Sequence, residues 1–154
     1  MQEILSFPVA FETESTEQTE EIGRTFAKYL SENYEQAFVA MYGDLGVGKT
    51  AFVRGFTSHF GNARVKSPTF SIVNEYRFED TSVFHFDMYR ITDDDDLYST
   101  GFYEYFSRRG YMLSEWCENI PYAIPDDAFV LTIEKISPTE PDKRHITIEK
   151  RCGE

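Results

Sequence analysis

Apolar residues along this chain fall into two rhythms, and the order in which the rhythms alternate predicts the architecture. Residues 4–11 (ILSFPVAF) read as a first strand, weakened by Pro8 and therefore suited to a sheet edge. Ser15, Thr16 and Thr19 supply helix-start chemistry, and Ile22, Phe26, Tyr29 and Leu30 follow at helical spacing. The run 37–42 (AFVAMY) is short and continuously apolar, as expected of a strand covered on both faces. A glycine-rich turn separates it from a second helical stretch, Ala51 to Phe60, closed by Gly61 and Asn62.

Segments 70–78 and 82–88 are rich in aromatic and β-branched residues and flank the polar turn Glu79-Asp80-Thr81, so they read as a hairpin. The acidic run Asp93 to Asp96 suits the start of a helix, where the macrodipole favours negative charge. An aromatic-rich segment punctuated by Gly101 and Gly110 follows, and then residues 111–114 as another central strand. Segments 128–136 and 145–150 predict a closing antiparallel pair joined by a loop over 137–143. Strands alternating with helices, then a β-rich tail, predict an α/β domain with a mixed sheet: parallel core strands, antiparallel additions and flanking helices.

Composition narrows the class. With 154 residues, 41% of them hydrophobic and 16% aromatic, the chain is too apolar for disorder and suits one domain over 1–154. No stretch approaches the roughly 20 apolar residues of a membrane helix, and the acid-bearing N-terminus does not resemble a signal peptide. A cytoplasmic protein with no membrane partner is the expectation. Cys117 and Cys152 form neither a close pair nor a metal-ligand spacing, so they read as two free thiols. Fifteen basic residues against 27 acidic ones leave a net charge of −12. Without a Lys/Arg cluster to replace counterions on phosphates, any contact with RNA is expected to be indirect.

Gly43-Asp44-Leu45-Gly46-Val47-Gly48-Lys49-Thr50 matches G-x-x-x-x-G-K-[ST] at every fixed position. Its glycines let backbone N–H groups turn inward around a phosphate, and the helix that follows adds its positive end. Lys49 is then placed to bridge the β- and γ-phosphates, and the Thr50 hydroxyl to bind Mg²⁺. A buried-strand pattern before the loop and a helical pattern after it supply the confirming context, so a nucleotide with Mg²⁺ is the expected ligand.

Val83-Phe84-His85-Phe86-Asp87 is an apolar strand ending in a carboxylate, the pattern that completes a magnesium shell. Alternation places Val83, His85 and Asp87 on one face, with His85 read as a histidine satisfied within the sheet rather than a proton shuttle. Glu115 follows the apolar strand 111–114, at the strand end where α/β sheets hold ligands. By itself it reads equally as a solvated strand-end acid. Ser67-Pro68-Thr69 alone reads as a turn, since Pro68 fixes its own φ and extends Ser67.

Together these segments resemble the bacterial tRNA threonylcarbamoyladenosine biosynthesis family TsaE, formerly YjeE, from about Thr19 to Ile136. Gly43 to Thr50 match its loop GDLGxGKT, and Lys66-Ser67-Pro68-Thr69-Phe70 match its K-S-P-T-[FY] segment, which behaves as a switch near the γ-phosphate. His85-Phe86-Asp87-Met88-Tyr89-Arg90 resemble its H-F-D-x-Y-R stretch, and Glu115-Trp116 its E-W pair. The resemblance implies a P-loop ATPase in which Asp87 and Glu115 serve Mg²⁺ and catalysis and Thr69 senses the γ-phosphate or positions water. It also implies that Asp44 acts at the phosphate edge. Thr19, with Gly23, falls on the family's T-x-x-x-G near the nucleotide, and Arg144 on a basic residue of its tail. Where the family commonly reads E-W-P-E, this chain has Glu115-Trp116-Cys117-Glu118.

The resemblance further implies TsaB and TsaD as partners, TsaD transferring the threonylcarbamoyl group to tRNA. Arg54, Arg64 and Arg90 cannot be ranked as arginine fingers, so slow turnover completed by a partner is expected. A small-molecule kinase would need an arginine-rich lid, which is not visible. A GTPase would carry an N-K-x-D-like base-reading motif, and none is found. A non-hydrolysing, nucleotide-gated binding module remains open, because a P-loop reports binding more firmly than turnover.

Overall fold

The structure is a computed structural model and describes residues 4, 6–43, 48–68 and 72–151. Seven strands, β1 (Val9–Thr13), β2 (Gln36–Tyr42), β3 (Val73–Arg77), β4 (Ser82–Asp87), β5 (Gly110–Glu115), β6 (Phe129–Ser137) and β7 (Glu140–Lys150), form one sheet in the order β1-β7-β6-β2-β5-β4-β3. The core pairs β4–β5, β5–β2 and β2–β6 are parallel, while β3–β4, β6–β7 and β7–β1 are antiparallel. This is the mixed α/β sheet that the alternation of rhythms predicts.

Period-2 alternation in the core strands sends side chains to two apolar layers. Val39, Met41, Val83, Leu113 and Leu131 meet helices α1 (Thr16–Asn33) and α2 (Lys49–Ser58) through Phe26, Leu30, Phe52 and Phe56. Phe38, Ala40, Phe84, Phe86 and Met112 meet the other layer, which includes α3 (Asp94–Ser99) and the 3-10 turns of residues 102–107 and 117–123. Both helix starts marked by Ser15 and by the acidic run are capped as their residue types suggest. Ser15 Oγ accepts from Gln18 N, and the Asp93 side chain accepts from Asp96 N.

Several boundaries move. The first strand begins at Val9, so Pro8 lies outside it, and β1 does stand at a sheet edge, pairing with β7 alone. The second helix starts two residues early, at Lys49, and ends at Ser58. The expected loop over 137–143 is largely strand: β7 begins at Glu140, after a turn at Pro138-Thr139. There the Ser137 and Thr139 hydroxyls bond at 2.9 Å. Pro141 is tolerated because pairing shifts register between Lys135 and Ser137, and a strand accepts proline at such an irregularity. Among the described residues no helix is long and apolar enough to cross a membrane.

Candidate nucleotide site

Central strand β2 lies between β6 and β5; the connection that enters it comes from β1 on the β6 side, and the one that leaves it runs to β3 on the β5 side. Open α/β sheets hold ligands outside the carboxyl ends of their strands at such a switch point. Three predicted residues converge there: Gly43 just past β2, Asp87 ending β4 and Glu115 ending β5. Asp87 and Glu115 are direct register partners across the parallel β4–β5 pair. The α/β register thus joins two acids that are 28 residues apart in the chain (115 minus 87).

Gly48 caps α2 at its N-terminus with φ +104, a conformation L side chains rarely adopt. A β-carbon at position 48 would stand 3.7 Å from the Thr19 methyl and 4.0 Å from Arg144 Nε. Thr19 on α1 and Arg144 on β7, both read from the resemblance, therefore flank the start of the P-loop helix. Thr19 is buried and shares a 2.9 Å hydrogen bond with Thr13, while Arg144 Nη1 donates to the Lys143 carbonyl at 2.9 Å and to that of Pro141.

Lys49 is 7% exposed, an uncommon depth for an ammonium. Its Nζ donates to the Gly43 carbonyl at 2.8 Å, lies 3.7 Å from Glu115 Oε1 and stands 5.8 Å from the Trp116 ring centroid. The other oxygen of Glu115 is 2.6 Å from Nε2 of the fully enclosed His85. Burial pushes the Glu115 carboxyl up, but the His85 hydrogen bond and the charges of His85 and Lys49 outweigh it and leave the group below its ordinary value. Burial holds Asp87 above the usual carboxylate range; the Tyr89 N–H, 2.9 Å from Oδ1, offsets part of this and the Glu115 charge adds to it. Of the two acids, Asp87 is the one whose charge is less well met by the protein.

The Thr50 hydroxyl shares a 2.9 Å hydrogen bond with Ser67. The stretch around Ser67 is fixed in turn to β3: Asn74 Nδ2 donates to the Lys66 carbonyl at 2.9 Å, and Lys66 N donates to the Tyr76 hydroxyl at 3.0 Å. Asp44, Leu45, Gly46, Val47 and Thr69, all predicted site residues, lie outside the described residues, as does Cys152. Among the described residues, no three His, Cys, Asp or Glu side chains gather as a metal-binding group. One hydroxyl and one or two carboxylates beside a phosphate nevertheless suit Mg²⁺, which keeps waters and takes few protein ligands. Thr50, Asp87 and Glu115 are side chains of that kind.

Sequence reasoning placed His85 in the sheet and missed its bond to Glu115. It also missed the Ser67 partner of Thr50 and the left-handed backbone of Trp116, whose φ is +59. No signal within one strand identifies its neighbour, so only the His/Asp alternation on β4 hinted at a shared face.

The model of the family described as "Threonylcarbamoyl adenosine biosynthesis protein TsaE" matches residues 13–146. The tRNA threonylcarbamoyladenosine biosynthesis protein TsaE of Haemophilus influenzae is 34% identical over 115 residues, 73% of each chain. The protein of the same name from Rickettsia bellii is 32% identical over 132 residues, 84% of this chain and 87% of its own. Among solved structures, the crystal structure of Bacillus subtilis YdiB superposes with a TM-score of 0.74 at 27% identity, covering 97% of this chain and 89% of that one.

Proposed function

The chain belongs to the TsaE family of threonylcarbamoyladenosine biosynthesis, and from that premise we propose that it binds ATP with Mg²⁺ and hydrolyses it slowly. The observation that carries the reading is Lys49 standing 3.7 Å from the strand-end carboxylate of Glu115, whose register partner is Asp87, beside the glycine-led start of α2. Among the described residues the buried Lys49 ammonium meets one carbonyl and one carboxylate, contacts that an anion can replace.

In this mechanism Lys49 leaves the Gly43 carbonyl for the β- and γ-phosphates, and backbone N–H groups of the loop 43–50 cradle the β-phosphate. Thr50, Asp87 and Glu115 would hold Mg²⁺, which would neutralise charge on the transferring phosphoryl group. Glu115 also orients the attacking water. A bond forms from water oxygen to the γ-phosphorus, the bond from that phosphorus to the β–γ bridging oxygen breaks with its electron pair going to ADP, and the water's proton passes to the phosphate product or to solvent. Thr69 senses the γ-phosphate or positions the water, Asp44 acts at the phosphate edge, and Thr19 and Arg144 line the nucleotide beside Gly48. Arg54 forms an ion pair with Glu20 at 2.7 Å. Because a finger is worth about 10³–10⁵ in rate, turnover is slow until a partner completes the site.

The chain acts in the cytoplasm as a nucleotide switch on TsaB and TsaD and touches tRNA only through them. The test is ATP hydrolysis with and without purified TsaB and TsaD, with Lys49→Ala as the blank. Slow Lys49-dependent turnover that rises with the partners supports the reading. ATP binding without Lys49-dependent hydrolysis in either condition replaces it with a nucleotide-gated binding module.

A further inference from the structure

His85 sits in the middle of β4, fully enclosed, on the strand face it shares with Val83 and Asp87 and opposite Leu113 of β5. Among the described residues its ring has one hydrogen bond, the 2.6 Å contact from Nε2 to Glu115 Oε2, and the buried Nδ1 has no partner among them. An imidazole here is poor value for stability. An unsatisfied buried polar atom costs about 1–3 kcal/mol, and an apolar residue in this apolar strand would avoid that cost. A residue that breaks the local rule at a functional site calls for a functional reason.

The geometry supplies one. The Glu115 carboxylate beside the Lys49 ammonium is acceptor-only, so His85 Nε2 donates to it. Glu115 is therefore held from two sides, by Lys49 at Oε1 and by His85 at Oε2. If Lys49 turns to nucleotide phosphates, the first hold is lost and the second stays, since the His85 ring is locked in the sheet.

We propose that His85 is a positioning residue that fixes the Glu115 carboxylate in place while Lys49 serves the nucleotide. The inference rests on the reading of this site as an ATPase. His85 touches neither substrate nor reacting atoms and acts through Glu115 alone. Its absence lets the carboxylate follow Lys49 or swing toward solvent, so the chemical step suffers more than nucleotide affinity, which Lys49, Thr50 and Asp87 still support.

The experiment compares His85→Leu, His85→Gln and His85→Asn in the full chain, reading kcat and KM for ATP, ADP affinity and the thermal unfolding midpoint. Gln carries an amide donor at nearly the reach of Nε2, whereas the Asn amide stops short and Leu has none. Loss of such an orienting partner typically costs about 10–100-fold, so kcat is expected to fall by that much in the Leu and Asn variants. KM and ADP affinity change less than kcat, since Lys49, Thr50 and Asp87 still serve the phosphates and the ion, and Gln recovers most of the rate. In a Glu115→Gln background the Leu substitution should add little, because the group that it releases is already altered. If the Leu variant fails to fold, the Gln and Asn pair still decides. Wild-type kcat in both Leu and Asn, equal loss in Gln and Asn, or a raised KM with intact kcat each overturns the inference and leaves the ATPase reading standing. A wild-type chain without Lys49-dependent hydrolysis overturns both.

Discussion

Cys117 stands where the resemblance calls for proline, and the substitution leaves the local geometry workable. It opens the 3-10 turn Cys117–Asn119, a first-turn position where proline and other residues are both accepted, and its Sγ donates to the Ser114 carbonyl at 3.2 Å. The strained residue is its neighbour. Trp116 adopts φ +59, at a cost of about 1–3 kcal/mol for a non-glycine residue, and is held there by its ring contacts to Tyr89, 4.9 Å away, and to Lys49. Burial pushes the Cys117 thiol up to about 12, and the thiolate is the reactive form. In a Cys152→Ser variant, native Cys117 is therefore expected to react with an aromatic disulfide reagent at least about a hundredfold more slowly than the unfolded chain, since a stability of about 5 kcal/mol or more keeps open states rare. Native and unfolded rates that coincide would mean the thiol is accessible and the turn is not closed as described.

Helices α1 and α2 bring Thr19 to the start of the P-loop helix, and two glycines set how closely they approach. A β-carbon on Gly55 would lie 1.9 Å from the Glu20 carbonyl oxygen, and one on Gly23 would lie 2.3 Å from that of Phe52. Both obstacles are backbone, so no side-chain rotation relieves them. Gly55→Ala gains up to about 1 kcal/mol of helix propensity. Overpacking typically costs about 1–3 kcal/mol, and a 1.9 Å approach belongs at or above the top of that range. The net expectation is a loss of about 2 kcal/mol, read as a lower urea midpoint, with weaker nucleotide binding because α1 must back away from Gly48. A raised midpoint would show that the two helices separate freely.

For the whole molecule, charge decides more about partners than about fold. At −12 the chain repels the phosphate backbone at long range, and its basic residues are spread among acids. Direct affinity for tRNA at about 150 mM salt is expected to be weaker than about 100 µM, because non-specific binding depends on cations that displace counterions. Fluorescence anisotropy with labelled tRNA checks this. A dissociation constant near about 1 µM for the isolated chain would require a basic face and would overturn the view that the chain reaches tRNA only through other proteins.

Local rules were enough for much of this protein. Element types, the mixed sheet, the Ser15 and Asp93 caps and the family follow from periodicity, helix-start chemistry and contiguous motifs, all carried by residues close together in the chain. The P-loop is legible for the same reason, since its chemistry needs a fixed short spacing. Tertiary structure alone decided what depends on strand order and register: Asp87 opposite Glu115, Ser67 on Thr50, Thr19 and Arg144 beside Gly48, and His85 bonded to Glu115. It also turned the expected loop 137–143 mostly into strand, because pairing of β7 with β6, which reaches Ser137 opposite Glu140, outweighed the turn-forming bias of Pro141 and Asp142. One strand's pattern says which side chains share a face, but not which strand lies next to it.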